Sequence, residues 1–118
     1  MTKVLKFHEE GYNCAESIVK VMNEENGLNI PVSIASPFGT GMAVCSVCGA
    51  VTGALMVLGA KKGRNSSDEF NESRRVAKEI MNKVKERYGT YKCLELKKKG
   101  IPCSEIIQYT YDILKEYV

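Results

Sequence analysis

The chain has 118 residues, 17 basic and 14 acidic side chains, and a formal charge of +3. That is the length of a single domain, 1–118, with a core of its own. The mild charge excess is far from the basic bias of a nucleic-acid binder, so no nucleic-acid partner is expected. A single histidine, His8, and no tryptophan exclude histidine-rich metal chemistry.

The N-terminal stretch, MTKVLKFHEEG, is charged throughout and lacks the apolar core of a signal peptide. A cytoplasmic protein is therefore expected. In a reducing compartment its five cysteines, Cys14, Cys45, Cys48, Cys93 and Cys103, suit metal binding or redox chemistry better than structural disulfides. Taken singly, each also reads as a small core residue.

Strand signals are scarce and helical periodicity recurs, so the reading is all-α: a compact bundle of five to six helices. From Thr2 to about Asn26, Leu5, Tyr12, Ala15, Val19 and Met22 recur at three- and four-residue steps. Gly11 interrupts this run, and Asn13 with Glu16 forms a capping-box pair, so a helix restarts at Cys14. Gly27 reads as its stop, and Asn29-Ile30-Pro31 as the opening of a short helix through Ala35. Pro37–Gly41 reads as a turn; without a lysine or a preceding strand it is no phosphate loop.

Met42–Ala60, MAVCSVCGAVTGALMVLGA, contains no charge in a chain that is 26% charged. Its second half is apolar on every side, which requires cover by protein or lipid. The reading is a buried central helix, Gly49–Ala60, entered through Cys45–Cys48. Three glycines and several polar side chains argue against membrane insertion. Gly49 and Gly53, one turn apart, open a face to close approach, either by another helix or by a bulky group held at the nearby sulfur. The burial demand of this helix also suggests a homodimer.

Gly63–Ser67 reads as a turn, with Ser66 or Ser67 capping a helix of about six turns that ends at Gly89. Its inner stripe is Phe70, Ala77, Ile80, Met81, Val84 and Tyr88. Thr90 then caps a short helix through Lys99, whose lysines read as a solvated end. Pro102 opens the last helix, with Ile106, Tyr109, Ile113, Leu114 and Tyr117 inward.

On these boundaries Cys14, Cys48, Cys93 and Cys103 each stand at the start of a different helix. Unpaired backbone N–H groups there stabilise a thiolate, the form that acts as nucleophile and metal ligand. All four are expected to ionise more readily than an ordinary thiol. His8 reads as a surface residue apart from Cys14.

Gly11-Tyr12-Asn13-Cys14-Ala15, the glycine-bearing loop Phe38–Met42, Cys48-Gly49-Ala50-Val51-Thr52-Gly53, Tyr88-Gly89 with Cys93, and Cys103 together resemble the bacterial and archaeal redox proteins with a C…GCAxxG…C…C pattern. The resemblance spans nearly the whole chain. It implies a redox role for Cys14, Cys48, Cys93 and Cys103, with Cys45 outside the quartet. A related domain in certain multihaem cytochromes accompanies an iron–sulfur centre. Gly49 follows Cys48, so the haem attachment sequence Cys-x-x-Cys-His is missing and no covalent haem is expected.

Three functions remain open. The quartet can ligate an iron–sulfur cluster, or zinc as the alternative metal, with Gly49 and Gly53 giving room and N–H donors around the bound group. Pairs of the same thiols, or Cys45-Ser46-Val47-Cys48, can do thiol–disulfide chemistry with an unidentified redox partner. A non-catalytic helical interaction module with reduced, buried cysteines is the third.

Overall fold

The computed structural model describes residues 2–118. Its α-helices are α1 (Lys3–Glu9), α2 (Cys14–Asn26), α3 (Gly49–Lys62), α4 (Glu72–Tyr88), α5 (Cys93–Lys98) and α6 (Cys103–Leu114). Between α2 and α3 the chain makes a 3₁₀ segment, Val32–Phe38, and one wide turn, Gly41–Cys45. Among the described residues no strand forms; the nearest thing is an isolated antiparallel bridge between Val47 and Lys92. No described helix is long and apolar enough to cross a membrane.

The break between α1 and α2 falls where glycine and the capping pair place it. Asn13 Oδ1 accepts from Glu16 N at 2.8 Å, and Glu16 Oε1 accepts from Asn13 N at 2.9 Å. The cap also anchors the 3₁₀ segment, because Asn13 Nδ2 donates to the Ser36 carbonyl and Ser36 Oγ donates to Glu16 Oε2. Gly27 closes α2 with φ of 63°, a left-handed position that glycine adopts without a Cβ penalty.

α3 is covered from within the chain by α2, α4, α6 and the 3₁₀ segment. Ala50, Val51, Gly53, Ala54, Val57 and Leu58 are all buried. Leu55 and Met56 on the same helix stay partly exposed. Gly53 meets α2 directly: a Cβ there would stand 2.9 Å from the Ala15 carbonyl oxygen and 3.0 Å from Ala15 Cα. The two backbones lie too close for any side chain between them.

α4 differs from the expected helix at its start. Asn71 caps it, accepting from Arg74 N at 3.2 Å, so the helix is 17 residues long and shorter than six turns. Phe70 lies outside it and is 76% exposed. The inner ridge is Val76, Ile80, Val84 and Tyr88, a strict four-residue spacing that packs side chains one above another. Ser66 caps nothing; its Oγ accepts from Asp68 N within the preceding turn.

Thr90 acts three residues before the start of α5, where its Oγ1 accepts from Lys92 N and donates to Glu95. α6 buries Ile106, Ile107, Thr110, Tyr111, Ile113 and Leu114. Tyr109 is instead partly exposed, edge-on to Tyr88 at 5.6 Å between ring centres. Tyr117 lies beyond the helix end.

Candidate redox site at four helix starts

Each quartet cysteine occupies a helix start. Cys14 is the first residue of α2, Cys93 of α5 and Cys103 of α6, and Cys48 directly precedes α3. All four line one cavity of about 150 Å³. Residues 34 to 55 apart in sequence, such as Cys14 with Cys48 and Cys48 with Cys103, therefore face a common space.

Local hydrogen bonding explains the placement. Cys48 N donates to the Tyr91 carbonyl at 2.8 Å and Cys93 N to the Ser46 carbonyl at 2.6 Å. These bonds flank the Val47–Lys92 bridge and bind the entry of α3 to the entry of α5. The α2 cap holds Cys14 opposite. Gly49 stands in the cavity wall, where a Cβ would meet the Phe38 carbonyl oxygen at 2.9 Å and Cys14 Cβ at 3.3 Å. Gly53 is one turn deeper, outside the cavity lining, at the contact with Ala15.

The thiols do not ionise as the helix starts alone suggest. Burial pushes Cys48 up to about 12, against opposing N–H donors at Ala50 and Val51. Burial also raises Cys14, helped by the charge of a neighbouring Cys103, while N–H groups at Thr40 and Cys14 oppose it. Cys93 is raised by burial first, and Lys97 pulls the other way. Desolvation of a charged sulfur thus outweighs the N–H donors, and these three keep their protons at neutral pH. The expected readier ionisation is overturned for them. Their mutual influence nevertheless follows the shared cavity: Cys14 feels Cys103 and Cys93, and Cys48 feels Cys14 and Cys93.

All five cysteines are free thiols. Among the described residues no three His, Cys, Asp or Glu side chains stand close enough together to hold one metal ion.

Several site residues were invisible in the sequence. His8 is a wall residue of the cavity, half-buried, contrary to its reading as a surface histidine. Its Nδ1–H donates to the Tyr12 carbonyl at 3.1 Å. The α1–α2 break folds α1 back across the start of α2, so six residues of separation carry no information about distance. Thr40 and Lys97 also reach the wall, with Leu96, Ile101 and Ile106 as its apolar part. Lysine placement on α5 would have suggested Lys97 only once Cys93 was known to begin that helix.

The segment before Cys48 is unusual. Thr40, Met42, Ala43 and Cys45 all have positive φ, between 53° and 66°. Such left-handed conformations are uncommon outside glycine and cost on the order of 1–3 kcal/mol each. Strain of this kind persists where surrounding structure holds it, and here it seats Thr40 beside Cys14. Cys45 is not part of the cavity lining and lies next to Cys93.

An all-helical fold that gathers cysteines from four helix starts at one cavity defines a small cysteine-centred protein. The chain belongs to the C_GCAxxG_C_C family: the family model, described as "Putative redox-active protein (C_GCAxxG_C_C)", matches residues 12–117. Searches of curated proteins and of solved structures returned no match. The chain is thus placed among redox-active proteins by its family, and the details of its chemistry rest on the site itself.

Proposed function

We propose that Cys14, Cys48, Cys93 and Cys103 act as one redox site that ligates an iron–sulfur cluster and serves electron transfer with a partner protein in the cytoplasm. The observation that carries this reading is the single cavity lined by all four thiols. A tetrahedral zinc with bonds near 2.3 Å would need sulfurs about 4 Å apart, and among the described residues no three His, Cys, Asp or Glu side chains form such a group. A cluster spreads four thiolates more widely around its own sulfides.

The donor set fits such a group. Four thiols from four helix starts are held by hydrogen-bonded backbone, and the space between them is walled largely by apolar side chains. Burial keeps Cys14, Cys48 and Cys93 protonated without a bound cation, so ligation releases their protons and is favoured by rising pH. When bound, the cluster supplies the one-electron couple. The chain's own residues exclude water through Leu96, Ile101 and Ile106 and set the local charge through Lys97. Gly49 leaves room beside Cys14, and Gly53 lets α2 approach closely enough to bring Cys14 to the cavity.

The test is anaerobic loading of the reduced protein with ferrous iron and sulfide, followed by iron and sulfide analysis and visible absorption. Loading should be lost on serine substitution at Cys14, Cys48, Cys93 or Cys103, and retained in C45S. A reduced, folded protein that takes up no iron, or quartet variants that load like the parent, would sink the reading.

A further inference from the structure

The fifth cysteine has a partner. The bonds flanking the Val47–Lys92 bridge seat Ser46 directly on Cys93, through Cys93 N to the Ser46 carbonyl at 2.6 Å. Cys45 is the next residue back, and its left-handed backbone turns the chain at that point. The turn itself rests against Cys93: a Cβ on Gly41 would stand 2.8 Å from Cys93 Cβ, and Ser46 N donates to the Gly41 carbonyl at 2.8 Å. These backbone contacts place Cys45 beside Cys93, whose thiol feels it as a neighbour. Cys45 is partly exposed, Val44 beside it is 77% exposed, and Cys93 is buried. One thiol meets solvent and the other lies behind it.

We propose that Cys45 and Cys93 form a reversible disulfide, a modification site outside the quartet pattern that withdraws Cys93 from the cavity. The oxidant is a low-molecular-weight disulfide. The Cys45 thiolate attacks one of its sulfurs, a new S–S bond forms, and one small thiolate leaves. Cys93, deprotonated in the step, then attacks the Cys45 sulfur of this mixed disulfide, and the second small thiolate departs. Two protein thiols are oxidised by two electrons and one small disulfide is reduced to two thiols. Lys97 beside Cys93 favours the second step by stabilising the developing sulfur charge. The bond itself needs no cluster. Its consequence, loss of one ligand from the quartet, rests on the function proposed above.

The experiment treats the reduced full-length chain with oxidised glutathione and maps disulfides by mass spectrometry under non-reducing conditions. The expected product joins Cys45 to Cys93, is reversed by dithiothreitol and is absent from C45S. Oxidised parent protein should then lose iron loading, while oxidised C45S keeps it. A Cys93 bridge to Cys14, Cys48 or Cys103 in the parent would overturn the proposal. So would Cys45 recovered unmodified or only as its glutathione adduct. Loading of the untreated reduced protein reports on the quartet separately, so absence of iron uptake condemns the cluster and leaves the bridge to stand or fall on the map.

Discussion

The α2–α3 seam and the segment from Thr40 to Cys45 lie at opposite ends of the same construction. At the seam, both elements are regular helices, small residues face each other, and Gly53 admits the Ala15 backbone. In the segment, four non-glycine residues take left-handed conformations, and few side chains are buried. The seam contributes stability and the segment draws on it. The difference shows how a small helical domain holds thiols where their own local preferences would not put them: rigid packing on one side of Cys48 tolerates strain on the other.

The largest test of this contrast is at the seam. G53L should prevent folding or cost more than about 3 kcal/mol, since neither backbone can move aside without unseating a helix. G53A should still lose stability, by about 1–2 kcal/mol, even though alanine is the better helix former by about 1 kcal/mol. Urea unfolding followed by circular dichroism measures both. A G53A protein as stable as the parent would mean that the seam is looser than the structure has it.

A second test uses pH. The folded Cys48 thiol is pushed up to about 12, above an ordinary thiol, so the unfolded chain gives up this proton first. The unfolded state then binds fewer protons, and stability falls as pH rises from about 9 towards 12, by up to a few kcal/mol. Below that window the contribution is intact. Cys14 and Cys93, raised in the same direction, add to the loss, and C48A should flatten part of the slope. Alkylation gives the same ordering from another side: the exposed Cys103 should react with iodoacetamide well before Cys48. Equal rates would contradict the burial that protects Cys48.

The smallest expected effect is in the strained segment. Ala43, with φ of 66°, is relieved by glycine, so A43G should stabilise the reduced protein by up to about 1 kcal/mol. A loss of stability would show that the left-handed conformation at Ala43 is not strained. Because glycine also loosens the turn, A43G should slow formation of the Cys45–Cys93 bridge, which makes the segment's order measurable by chemistry as well as by unfolding.

Much of the helical architecture was legible. The capping pair at Asn13 and Glu16, the stops at Gly27 and Gly89, and the proline before α6 act within a few residues, so their consequences follow from local sequence. The start of α4 was less so, because Asn71 and Ser66 are equally good caps in sequence and only packing selects between them. Phe70 shows the same limit: helical spacing puts it on the stripe, yet the helix begins after it.

Caps, glycines and prolines are short-range signals, so the helix starts, and the cysteine at each of four of them, were readable from residue order alone. Packing alone brings those starts together at one cavity, stands His8 and Lys97 in its wall, and sets Cys45 beside Cys93. It also reversed the ionisation of Cys14, Cys48 and Cys93. The physical reason is common to all of these: a helix start's N–H groups travel with the sequence, whereas distance between helices and exclusion of water arise only when the chain has packed, and for a charged sulfur desolvation is the larger of the two effects.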